Sequence, residues 1–430
     1  MVKRNSSRLC AKKPGRRPMF LESLESRAML AGDISVNVSG GNLIVRGDSA
    51  ANQVAILKLD SGEYAVAGFN GTTVEGSADP FIAKGVSGNI DVDLKSGNDL
   101  LGVGNDVAGL IALGQSLGFG ADIGDAAALQ TQLETLLADA GAPARLNVPR
   151  NLIVRTGGGR DGVGISADIG RDISADLGSG NNTLAIVNST VGDDVIARAG
   201  GQNDLVLILD SEIDEVLDVH LGHGVNTLEV EESSVGQSVI AIMGKHRDVV
   251  HLIDSSIEGH VIARTSGGDD DVFIHTHEGS GSEVGGNIDA DTGSGSDFVD
   301  LDGQVGGSVN IRTGDHVDEV TLSDLTVRRN VIVLLGSGND VLFADNVRVR
   351  GVATIDAGSG DDEVVLANSD VDKVLTAVMG SGRDTLQIFA SSADLAVLIG
   401  GSDFDTLNVD DEDFADDAVV VLFEDVNVIV

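Results

Sequence analysis

Gly336-Ser337-Gly338-Asn339-Asp340, followed by Val341-Leu342-Phe343, decides the fold. The stretch recurs with drift about every 22 residues, at Gly178–Asn182, Gly293–Asp297, Gly358–Asp362 and Gly380–Asp384. Around it the apolar positions are fixed. Val327 is followed by Val331 and Val333, then Gly336, Asp340, Leu342 and Ala344; one unit earlier, Val305 is followed by Val309, Ile311, Gly314, Asp318, Val320 and Leu322. Apolar pairs of period 2, separated by Gly and Asp turns, are short strands and not helices. Two clear strands and a third short one per unit predict an all-β fold: a single-stranded parallel β-helix of about 22 residues per coil. A lone coil cannot bury its inward side chains, so stacking at about 4.8 Å per coil makes the core. The crossover rule for parallel strands favours a right-handed coil.

The apolar residue that opens each unit can be followed through Val86, Val148, Ile169, Val191, Ile213, Val235, Ile257, Val284, Val305, Val327, Val349, Val371 and Ala393. Thirteen such anchors predict a rod on the order of 60 Å long. From Val148 onward the step is 21 or 22 residues, except for 27 between Ile257 and Val284, which places a bulging loop around His275–Gly281. The predicted division is a β cap over 34–85, repeats over 86–409, one inserted helix within 107–143, and a last coil over 410–430. The inserted helix is read from Leu129, Leu133, Leu136 and Leu137 on one face, with Asp125 as its cap and Gly141 and Pro143 at its end. Within the N-terminal cap, Asn70-Gly71 signals a hairpin turn.

Composition agrees with thin, similar layers. The 430 residues include 57 Gly, one Tyr and no Trp, whereas a compact core of this size normally carries more large rings. The formal net charge is −40. Residues 1–33 hold 8 Lys/Arg against 3 Asp/Glu, leaving 20 basic against 65 acidic residues for the remainder. Such a field repels nucleic acid and anionic lipid and attracts cations. No apolar run reaches membrane-spanning length, so neither nucleic acid binding nor membrane insertion is expected. The single cysteine, Cys10, allows no intramolecular disulfide.

Residues 1–33 read as a disordered export leader outside the fold. Leu24-Glu25-Ser26-Arg27-Ala28-Met29-Leu30 resembles the LEPR-XLL N-terminal motif of bacterial secreted and surface proteins, with Ser26 in place of its Pro and Met29 in place of a Leu. That resemblance implies a secreted or cell-surface location.

One position after each Gly turn is Asp or Asn in twelve successive units. Ten are Asp: Asp99, Asp161, Asp204, Asp248, Asp270, Asp297, Asp318, Asp340, Asp362 and Asp384; Asn182 and Asn226 complete the series. Stacked coils would place these side chains in one ladder along an edge. Asp and Asn serve there as turn formers. Yet like charges stacked at the coil rise would cost roughly 0.2–1 kcal/mol per pair, which a hard cation would remove. Gly-x-Gly-x-Asp-x-apolar, as in Gly336–Leu342 and Gly358–Val364, also resembles the hemolysin-type (RTX) calcium-binding repeat. The resemblance implies calcium at the ten Asp residues as metal ligands, although the motif occurs here once per coil and not in tandem nine-residue repeats.

Other columns are less specific. Asn188-Ser189, Asp210-Ser211, Glu232-Ser233, Asp254-Ser255 and Asn368-Ser369 make a second polar corner, explained by turn chemistry. Arg155, Asp176, Arg198, His220, Ile242, Arg264, Asp291, Arg312, Leu334 and Asp356 share one outward position, where opposite charges on some neighbouring coils would pair. His223 and His246 fall near one turn in successive coils and read as surface residues, with a transition-metal site as the alternative. The expectation is therefore a non-enzymatic extracellular structural or adhesive rod, stabilised by calcium, with a cell-surface polysaccharide or protein as partner. The alternatives are a carbohydrate-active β-helix of the polysaccharide-lyase kind, using outward Arg beside carboxylates, and a ligand-free scaffold.

Overall fold

The computed structural model describes residues 32–104, 143–275, 283–410 and 418–429. Within them every regular element is a strand. The strands pair in parallel with a constant offset: Val331 lies beside Ala353, and Ala353 beside Leu375, 22 residues further each time. Each coil contributes one strand such as Val331–Ser337, a second such as Val341–Asp345, and a short third such as Arg348–Val349. This is a parallel β-solenoid, as the 22-residue pattern requires.

Side chains alternate across each strand. Val331, Val333 and Leu335 point inward and are buried, while Ile332 and Leu334 lie outward. The anchor column runs on through Ile257, Val284 and Val305 despite the 27-residue step. The loop expected to absorb that step lies largely outside the described residues, as does the expected helix, whose last residue, Pro143, opens a short strand pairing antiparallel with Lys58–Leu59.

Antiparallel strand pairs cluster at the N-terminal end. Asp33–Ser39 pairs with Asn42–Arg46, and Gln53–Leu59 with Tyr64–Gly68. Strand structure thus begins inside the stretch read as leader. Asn42–Arg46 and Gln53–Leu59 also pair in parallel with Ile90–Asp93 and Leu100–Gly104, so they form a first coil. Asn70 and Gly71 both adopt positive φ, 47° and 89°, as an Asn-Gly turn demands. The strands on either side do not form the hairpin that this turn suggests: Thr73–Val74 pairs in parallel with Asp33–Ile34. The largest fully buried rings, Tyr64 and Phe69, belong to this region, and the coils beyond it are filled by Val, Ile, Leu and Ala, with Met243 and Met379.

Candidate functional site

The Asp column lies inside the rod, not along an exposed edge. Asp161, Asp248, Asp270 and Asp340 have no solvent exposure, and the other six expected members have at most 2%. The Gly turn before each Asp brings its side chain inward, and the neighbouring coil supplies its partner. Asp318 N–H donates to Asp340 Oδ1 at 2.9 Å, Asp340 N–H to Asp362 Oδ1 at 2.8 Å, and Asp362 N–H to Asp384 Oδ1 at 2.9 Å. The same bond recurs from Asn52 N–H onto Asp99 (2.7 Å), through Asn182 and Asn226, to Asp384 N–H onto Asp405 (3.1 Å). Asp405 N–H closes the series on Glu424 Oε2 at 2.9 Å. Every coil is thereby tied to the next by a side chain as well as by strand pairing.

Asn52, Asp405 and Glu424 extend the ladder beyond the residues the sequence pattern selects. Asp405 stands 21 residues after Asp384, a spacing that could have identified it. Asn52 lies 47 residues before Asp99 and carries no such signal.

Only one oxygen of each ladder carboxyl is used. The Oδ2 atoms of Asp99, of the other nine expected ladder Asp residues and of Asp405 are buried without a hydrogen-bond partner. Burial pushes these carboxyls upward: Asp99, Asp204, Asp248, Asp318 and Asp362 to about 7, and Asp161, Asp270 and Asp384 to about 6. Asp297 and Asp340 are raised by the same cause.

Calcium takes six to eight oxygen ligands in an open cage. The ladder offers unused oxygens, but the rest of that cage does not assemble. Among the described residues no three His, Cys, Asp or Glu side chains converge in a metal-holding group. The glycine turns stack backbone on backbone: a Cβ on Gly360 would stand 1.4 Å from the carbonyl oxygen of Gly338. Among the described residues the column thus offers unused carboxyl oxygens without a converged group of three such side chains.

The second corner forms a parallel system. Asn188, Asp210, Glu232 and Asp254 turn the chain with φ of 47–49°. Each following Ser is buried; Ser211 Oγ donates to the Leu209 carbonyl at 2.7 Å and accepts Ser189 N–H at 3.2 Å. Outside this column runs a groove of about 630 Å³ lined by Asp210, Glu212, Glu232 and Ser234, with Arg145 at its margin. A hydrogen bond with Asp210 raises the Glu232 carboxyl.

On the outward face of the first long strands, Arg46, Arg155, Arg198, Arg264 and Arg312 are engaged. Asp91 pairs with Arg46 (2.9 Å) and Arg155 (3.2 Å), and Asp289 pairs with Arg264 (3.2 Å) and Arg312 (3.4 Å). Arg198 meets Asp218 at 3.0 Å, not its column neighbour Asp176. The pairing is thus real but diagonal. His223 Nδ1 accepts Lys245 N–H at 3.3 Å, and His246 Nδ1 contacts the Lys245 carbonyl, so the two do not form a shared site. A cluster that the sequence pattern does not reveal lies on the second-strand face: Phe273 has ring contacts with His251, His275 and Phe298 at 5.2, 5.9 and 5.5 Å. Asp300, at 3.1 Å, raises His275, whereas burial lowers His251.

Residues 15–34 match a family model described as Planctomycete extracellular, a segment that includes the Leu24–Leu30 stretch. No curated protein and no solved structure matches the chain. The match marks this as a secreted or cell-surface protein, and its described body is that of an extracellular repeat protein.

Proposed function

We propose that the protein is a structural element outside the cell, a non-catalytic rod whose outward faces hold a surface polysaccharide or another protein. One observation carries this reading: the recurring polar residues of successive coils, the inward Asp and Ser columns, join coil to coil through Asp Oδ1 and Ser Oγ. The comparison supports the location. The Arg residues that a lyase would need as a proton acceptor are paired with Asp91, Asp218 and Asp289, which supports a holding rather than a chemical role. The LEPR-XLL and RTX-like assignments remain resemblances within this reading, the first consistent with export. The test is incubation of the full chain with acidic and neutral surface polysaccharides, followed by cosedimentation and by measurement of newly formed chain ends. Binding without new ends is expected. Release of unsaturated oligosaccharides would overturn the reading in favour of a lyase.

A further inference from the structure

We propose that protons are the counter-ions of the inward ladder: its Asp side chains are neutral carboxyl groups in the folded rod, and the oxygen without a side-chain or backbone donor is the one that carries hydrogen. This deepens the structural reading and rests on it.

The argument comes from the places where the ladder holds an amide instead. Asn52, Asn182 and Asn226 occupy the same column as the Asp residues. Like the carboxyls, Asn182 and Asn226 use Oδ1 to accept the preceding coil's N–H, each at 3.1 Å. The other amide atom, Nδ2, is a donor, and in all three it reaches the carbonyl two residues earlier: Ala50 at 2.8 Å, Gly180 at 3.1 Å and Gly224 at 3.1 Å. In an Asp coil, with Oδ1 used in the same way, Oδ2 is the counterpart of that donor, and it is buried without a partner. An ionised Oδ2 cannot make the bond that the amide Nδ2 makes; a protonated one is a donor, as the amide is. The ladder is thus built for a donor at this atom.

The electrostatic surroundings agree. The charged groups that act on ladder carboxyls are Asp48, Asp269, Asp271, Asp361, Asp403 and Glu424, besides other ladder members, and all are acids. Neighbouring cations are directed elsewhere: Arg247 pairs with Asp271 at 2.6 Å, and Arg383 lies over the Phe404 ring. In four coils a hydroxyl also bears on the carboxyl: hydrogen bonding by Thr156, Thr265, Thr292 and Thr313 lowers Asp161, Asp270, Asp297 and Asp318, against the larger upward effect of burial. A column of buried anions surrounded by further acids is costly, and neutralisation by protons removes that cost.

The experiment compares thermal midpoints of the full chain and of Asp340→Asn, Asp362→Asn and Asp356→Asn at pH 5 and pH 8, in EDTA and in calcium. Asp356 is exposed in the same coil as Asp362 and controls for simple loss of charge. The two ladder variants should raise the midpoint at pH 8 by about 2 °C or more and leave it nearly unchanged at pH 5, while Asp356→Asn has little effect. Infrared spectra of the unmodified chain should show protonated carboxyl groups at pH 6, with the band weakened in the double ladder variant. An equal effect of Asp356→Asn, a lower midpoint for the ladder variants at pH 8, or no protonated-carboxyl band would overturn the proposal. So would a calcium-specific rise that the ladder variants abolish, which would make the column a metal site. None of these outcomes touches the rod itself; a compact particle in small-angle scattering would overturn the structural reading instead.

Discussion

Asp362 does two jobs that a substitution can separate. Its Oδ1 accepts the N–H of Asp340, and its Oδ2 lies buried with no partner. Alanine removes both oxygens and leaves the Asp340 N–H orphaned, at a cost of about 1–3 kcal/mol. Asparagine keeps the acceptor and supplies a donor. The pH dependence follows from the direction of the shift. Burial raises the folded-state value of Asp362 from 3.8 to about 7. A carboxyl raised on folding contributes stability that is fully present below its unfolded value and is lost as pH rises through the folded one. Asp362→Ala should therefore destabilise most at pH 4–5, where the native carboxyl is neutral, and least at pH 8. Urea unfolding of the two proteins across this range checks it; a penalty that grows towards pH 8 would contradict the assignment. The ladder's inward direction was not legible in the sequence, because acidic side chains ordinarily face water. A 22-residue period locates Asp362 in its coil but leaves its inward or outward orientation open. Stacking decides that, since only a neighbouring coil supplies an N–H at the right distance.

At the scale of strand and turn, much more could be read in advance. Alternation of Val, Ile and Leu fixed the inward face of both long strands, and the Gly turns fixed their ends. The Asn70-Gly71 signal was weaker because a turn specifies its own φ angles but not the distant strand that its flanks will join. The Gly-x-Gly turns have the opposite character, being set by the coil beneath. Gly360 has a φ of 130°, and a methyl group would fall on the Gly338 carbonyl. Gly360→Ala should cost more than about 3 kcal/mol, combining backbone strain with displacement of a whole turn. Differential scanning calorimetry measures it, and a loss below 1 kcal/mol, the ordinary cost of ~0.5–1 kcal/mol for exchanging Gly and Ala in regular structure, would show that the turns do not pack so closely. Packing is looser at one place that spans successive coils. A core void of about 40 Å³ lies among Leu342, Ala344, Ala353, Ile355 and Leu366. Ala353 occupies the column of Val331 and Leu375, so Val is a natural size there. Ala353→Val should stabilise by about 0.5–2 kcal/mol, read as a higher denaturant midpoint at unchanged slope.

For the whole molecule, the controlling property is that each coil meets chiefly the coil before and the coil after. Stability in such an array is close to a sum of coil and interface terms, and length is adjustable in whole coils. The columns make this a register rule. Deleting Val331–Val352, 22 residues, joins Asn330 to Ala353 and places Ala353 beside Val309, the position Val331 held. The inward Val and Leu columns, the short third strand and the Asp ladder all remain continuous, with Asp362 Oδ1 brought to the Asp318 N–H in place of Asp340. Deleting only Val331–Val341, 11 residues, instead brings Leu342 to that position and sets second strands against first strands. The turns then meet strand edges, the ladder is interrupted, and carboxyls lose the donors that hold them. The 22-residue deletion should give a soluble rod with unchanged far-ultraviolet circular dichroism per residue and a maximum dimension shorter by about 4.8 Å in small-angle scattering. The 11-residue deletion should aggregate or lose cooperative unfolding. If both deletions fold equally well, the coils are not coupled in register, and the hydrogen-bonded columns are a consequence of stacking without being a cause of it.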